Sequence, residues 1–136
     1  MYEWKAAMVL IAPMMRGHQQ LRTWVAMFGA SIATFFVHDA VGYIAIDAIA
    51  AALVMARPAG LPQKAIGALF VFMVLFDLGF LLSPHDGWGL FVQASTALGW
   101  VQWLILGTWA GNDVWGRYNR WNNALDRPPP AYSRRV

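Results

Sequence analysis

Two aspartates stand alone inside apolar runs, Asp47 in GYIAIDAIAAALVMA and Asp77 in FVFMVLFDLGFLL. A carboxyl group in apolar surroundings must be protonated, hydrogen-bonded or wetted. Asp47 lies ten positions before Arg57, and Asp77 lies thirteen after Lys64. On antiparallel helices those offsets place the two carboxyls within about 5 Å of the same depth. Such a pair can carry protons or cations, or line a wet lumen. The plainer alternative is two neutral acids, each hydrogen-bonded to a neighbouring helix. Gln93, Thr96 and Gln102 are suitable partners.

His38-Asp39 and His85-Asp86 form a second constellation. Brought together, two imidazoles and two carboxylates could bind zinc, copper or another divalent ion. Histidine titrates at about pH 6.5, so the same set could sense pH. The plainer alternative is two polar turns whose aspartates cap the helices that follow. Two histidines without a third, closely spaced ligand fall short of a metal motif. Haem ligation by His38 and His85 has no attachment motif behind it.

Other chemistries find no residues. With no cysteine there is no disulfide, no thiolate nucleophile and no cysteine-bound metal. Glu3 is the lone glutamate, and Ser31, Ser83, Ser95 and Ser133 have no histidine at motif spacing. No phosphate loop, zinc motif or dinucleotide fingerprint occurs. The sequence implies no cofactor and leans away from an enzyme.

The elements that position the aspartates follow from charge. Lysine and arginine fall in three stretches: Lys5, Arg16 and Arg22; Arg57 and Lys64; and Arg117, Arg120, Arg127, Arg134 and Arg135. The apolar runs between them carry none. The chain is 59% hydrophobic and only 12% charged, where a soluble domain is about 25% charged. Basic residues stay on the cytoplasmic side of a bacterial-type membrane. If each run crosses, all three stretches share one side. The net charge of +3 is therefore topological and does not imply nucleic acid.

Four spans are expected, at 21–37, 40–56, 65–83 and 88–110, as two hairpins with both termini cytoplasmic. A single helix over 21–56 would be roughly 54 Å long, against a hydrocarbon core of about 30 Å. A turn at His38–Gly42 is therefore expected, with Gly42 supplying backbone freedom and Asp39 capping the second helix. Gly111-Asn112-Asp113 closes the fourth span. Trp24, Trp88, Trp109 and Trp115 sit near span ends, where indole prefers the headgroups. Trp100 and Trp103 lie mid-span, against other helices or lipid. Small residues repeat at four-residue spacing: Gly29 and Ala33, Ala48 and Ala52, Ser95 and Gly99, and Gly107 and Gly111. Such stripes let helices approach closely, inside the bundle or between copies.

Residues 1–20 read as an N-terminal interfacial segment. Pro13 and the following Arg16-Gly17-His18 are unlike a cleaved signal peptide. Residues 112–136 read as a basic tail, attracted to anionic lipid, that could continue as a helix along the headgroups to about Leu125 before Pro128-Pro129-Pro130 impose an extended exit. The layout of compact hairpins, short interfacial start and basic tail resembles the small multi-span membrane proteins of bacteria and their phages, phage holins among them.

The fold expected is all-α, polytopic and integral to the bacterial inner membrane. The small-residue stripes and the missing catalytic set point to a non-enzymatic protein that self-associates or joins a larger membrane assembly. Its partners are then the lipid bilayer and further copies or subunits. The resemblance implies a pore-forming version, with Asp47, Asp77, Gln93 and Gln102 lining the lumen. One alternative is a proton- or cation-conducting carrier or channel subunit using Asp47 and Asp77. Another is a membrane metal-binding protein or metalloenzyme using the His-Asp turns.

Overall fold

The chain turns back on itself between Thr34 and Asp39 without a proline or glycine to force it. The Thr34 hydroxyl donates to the Ser31 carbonyl at 2.8 Å, and the amides of Phe35 and Phe36 reach Ile32 and Ala33 at 3.0 Å. These short-range bonds tighten the last turn and take the carbonyls a longer helix would use. A computed structural model describes residues 9–10, 12–15, 17–58, 60–83 and 87–125. Within them lie a 3₁₀ turn (Ala12–Met14) and four helices: α1 (His18–Ala33), α2 (Ala40–Met55), α3 (Leu61–Leu82) and α4 (Trp88–Leu125). No strand occurs among the described residues.

The continuous helix over 21–56 does not form, but the turn differs from the expected one. It begins earlier, at Thr34. Asp39 holds the N-cap position of α2 with extended backbone, and its side chain makes no capping bond. Gly42 lies inside the first turn of α2 and no glycine has positive φ. A Cβ there would overlap Val37 Cγ1 and come within 2.7 Å of Asp39 Oδ1. Its glycine thus permits close approach of the connection, not unusual backbone angles.

The helices alternate in direction. The Arg22 guanidinium of α1 donates to the Arg57 carbonyl at 2.8 Å, just past the C-terminus of α2. A cation there satisfies carbonyls left open by the helix end and complements its dipole. Gln63 at the start of α3 donates to Gln19 at 3.4 Å, and the Gln20 amide donates to the Asp113 carboxylate of α4. Arg22, Arg57, Gln63 and Asp113 therefore share one end of the bundle. The core sits toward that end, around Met27, Val54, Ile66, Phe70, Leu106 and Ala110. The α2–α3 contact is the most extensive between helices.

The fourth helix does not stop at Gly111-Asn112-Asp113. It runs for 38 residues to Leu125. Gly111 keeps helical backbone, and one glycine costs a helix only about 1 kcal/mol, less than a new nucleation would. The last 12 residues, 114–125, extend roughly 18 Å past Asp113 at helical rise. Of the expected interfacial segment and tail, residues 1–8, 11, 16 and 126–136, with the prolines of the tail, lie outside the described residues, while 112–125 belong to α4. His18–Gln20 belong to α1.

Large apolar side chains point outward on every helix, among them Val25, Ile49, Leu53, Phe72, Leu75 and Leu104. Leu61–Leu82 and Gly89–Leu125 are long and apolar enough to cross a membrane, and only 22% of each apolar window is buried inside the bundle. A core helix of a soluble protein would be mostly buried, so the outward apolar surface needs another cover. Ala40–Met55 is apolar but shorter.

Candidate functional site

Asp47 and Asp77 meet. They lie on adjacent antiparallel helices, α2 and α3, and are only 7% and 2% exposed. Both carboxyl groups face the same cavity from adjacent helices. A bond between two carboxyls requires a proton on one of them, because two carboxylates are acceptors only. The helical faces explain the encounter. Asp47, Ala50, Ala51 and Val54 are the buried residues of α2, at i, i+3, i+4 and i+7. On α3 the inward set includes Ile66, Phe70 and Asp77. Each aspartate turns its own helix face inward.

The pair lines an open-ended cavity of about 340 Å³ with walls from all four helices. Its lining is buried at the base, at Met27, Phe70, Gln102 and Trp103, and exposed at Phe35 and His38. The mouth is therefore at the His38 end, and the Gln–Asp113 end is closed. Phe91 packs over the region, 4.5 Å from Phe80, 5.7 Å from Phe76 and 6.2 Å from Tyr43 between ring centroids. No lysine or arginine lines the cavity among the described residues.

Two buried polar atoms beside it have no hydrogen-bond partner among the described residues: Asp77 Oδ2 and Gln102 Nε2. An orphaned group of this kind costs about 1–3 kcal/mol. The Thr96 hydroxyl, by contrast, donates to the Val92 carbonyl of its own helix at 2.7 Å, a usual way to place threonine in apolar surroundings.

The other sequence candidates divide. Gln102, Thr96, Ser95 and Gly99 line the cavity. Gln93 does not; it is exposed on another face of α4. His38 is exposed at the mouth and Asp39 is exposed beside it. His85 and Asp86 lie outside the described residues, and no group of three or more potential metal ligands occurs within them. The small-residue stripes do not pack the bundle interior as expected. Ala48 and Ala52 are exposed, Ala33 is half-buried, and a Cβ at Gly29, Gly99, Gly107 or Gly111 would meet nothing within 4 Å. Inward rotation of Asp47 explains the outcome on α2, since it leaves Ala48 and Ala52 outside. Close approach occurs instead at Gly67, where a Cβ would lie 2.6 Å from Met55 Cγ.

Sequence reasoning missed Tyr43, Phe91 and the polar closure formed by Gln19, Gln20, Gln63 and Asp113. The signal for Tyr43 was present, because it precedes Asp47 by four residues and shares its helix face. Gln20 and Thr23, three apart and both buried, likewise mark a polar inward face on α1.

Comparison with protein-family models, curated proteins and solved structures finds no match.

Proposed function

We propose that this protein is a small integral membrane carrier or channel subunit that binds a proton or other cation at the Asp47–Asp77 pair. The observation behind the reading is the convergence of two buried carboxyls in a cavity with one open end and no basic residue in its described lining. In this reading all four helices cross the bilayer. The apolar exterior supports it, and so does the shared end of Arg22, Arg57 and Gln63 next to Lys64. That end is cytoplasmic by the positive-inside rule, most simply in a bacterial inner membrane. The mouth then faces the opposite compartment, and passage requires the Gln19–Gln63 and Gln20–Asp113 contacts to part.

Flux in proteoliposomes tests the proposal. Asp47→Asn or Asp77→Asn should abolish proton or cation movement while helix content and detergent-complex mass are retained. Undiminished flux in both variants overturns it.

A second reading is a non-enzymatic protein that self-associates or joins a larger membrane assembly. It is favoured by the outward Gly29, Ala48 and Ala52 and by the open space beside Gly107 and Gly111. A holin-like lumen draws less support, because Gln93 and the aspartates lie on different surfaces. The mass of the protein in mild detergent separates a single copy from an assembly.

A further inference from the structure

We propose that the cargo of this cavity is a small organic cation, a protonated amine bearing an apolar body. The inference rests on the carrier reading above and names its substrate class. Size is the first argument. A proton relay needs a file of waters, whereas about 340 Å³ is room for roughly ten, at about 30 Å³ each. The volume falls in the range of about 300–1,000 Å³ typical of small-molecule pockets.

Charge is the second. A carboxyl pair that shares one proton carries one negative charge once its other acid ionises. The described lining supplies no lysine or arginine to balance it, so a monovalent cation is the complement. Unused hydrogen bonds are the third. Asp77 Oδ2 is an acceptor without a donor, on a residue only 2% exposed. An ammonium N–H supplies that donor in a charge-assisted bond. Gln102 Nε2 is a donor without an acceptor, on a residue 3% exposed. A hydroxyl or carbonyl elsewhere on the ligand would satisfy it.

The rest of the wall decides between an organic and a metal cation. Tyr43, Phe70, Phe91 and Trp103 present aromatic surface to the cavity. Aromatic faces attract ammonium groups and cover apolar carbon. A hard metal ion would instead need several further oxygen ligands.

Isothermal titration of the full chain in mild detergent at pH 7 tests the inference with three probes. Phenethylamine is the cation, 2-phenylethanol its neutral counterpart of similar size, and sodium chloride the inorganic control. Phenethylamine should bind saturably, one per chain. The alcohol should bind at least about tenfold more weakly, since it lacks the charge-assisted bond. Asp77→Asn should lose the preference for the amine. Gly99→Leu should fill the cavity and lose binding without disturbing the carboxyls. A first side-chain carbon at Gly99 meets nothing within 4 Å, so this variant tests the cavity even where Asp77→Asn fails to fold. Circular dichroism checks both.

Equal binding of amine and alcohol overturns recognition by charge. Binding of sodium alone overturns the organic class. If none of the three binds while aspartate-dependent proton flux persists, the cargo inference falls and the carrier reading stands. If binding and flux are both missing, the carrier reading falls with it.

Discussion

Removing one of the two carboxyls should harm the protein more per residue than removing both. Asp47 and Asp77 line the same cavity from adjacent helices, and Asp77 Oδ2 has no partner among the described residues. In a pair that shares a proton, Asp47→Leu deletes one interhelical hydrogen bond, typically about 0.6 kcal/mol between membrane helices and at most about 1.7. It also leaves the Asp77 carboxyl, on a residue 2% exposed, without its partner, which adds about 1–3 kcal/mol. Asp77→Leu does the same to Asp47. Each single change should therefore cost about 2–4 kcal/mol. The double change removes both carboxyls and leaves neither stranded, so it should fall short of the sum by about 1–3 kcal/mol. Asp47→Asn keeps a hydrogen-bonding side chain and should cost about 1 kcal/mol or less. Unfolding by a denaturing detergent in mixed micelles measures all four, followed by tryptophan fluorescence. Trp103, buried against the same cavity, makes the signal sensitive to this region. Additivity within about 0.3–0.5 kcal/mol would mean that the two groups do not interact, and the shared site would have to be abandoned.

The topology is open to chemical labelling. Single cysteines at Phe36 (82% exposed) and Leu61 (80% exposed) should react from opposite sides of a sealed vesicle, and one at Trp121 should react from the Leu61 side. Same-side reaction of Phe36→Cys and Leu61→Cys contradicts four spans. The glycines should rank by what surrounds them. Gly42→Ala should cost about 1–3 kcal/mol, because a stiff valine and the Asp39 side chain occupy the space. Gly67→Ala should cost less, because the exposed end of Met55 can swing away. Gly29→Ala should be neutral or stabilising by up to about 1 kcal/mol. Equal destabilisation by Gly42→Ala and Gly29→Ala in thermal melts would contradict the packing described. His38→Ala should leave the metal content of the purified protein unchanged by elemental analysis, since His38 is exposed at the mouth and no group of three or more potential metal ligands occurs among the described residues.

The depth of the aspartates is legible in the sequence, because the offsets from Arg57 and Lys64 count helical turns from a common end. The reversal between α1 and α2 is legible from length alone. Rotation about each helix axis is not. Ala48 and Ala52 form as good a stripe as Ala50 and Ala51, and only the cost of exposing Asp47 chooses between them. A helix reaching about Leu125 is legible, but its continuity with the fourth span is missed because Gly-Asn-Asp reads as a stop. A helix already anchored on Leu106 and Ala110 continues through one glycine. The contact of Gln20 with Asp113 joins residues 93 apart, and no local pattern could announce it. The orphaned acceptor of Asp77 is likewise a property of the assembled bundle.

The unequal helices leave the molecule with a short side and a tall side. α1 and α2 have 16 residues each, and α3 has 22. At helical rise these are roughly 24 Å and 33 Å. If all four helices cross a bilayer, lipid beside α3 keeps its ordinary thickness of about 30 Å, while lipid beside the α1–α2 hairpin thins by several ångströms, at a fraction of a kcal/mol per Å. Phe35 and Phe36, both exposed beyond the end of α1, make up part of the gap. On that four-span reading the bundle is a wedge that deforms one flank of its surroundings. Thinner membranes relieve that deformation, and so do two copies that bring their short flanks together and share one thinned strip of lipid.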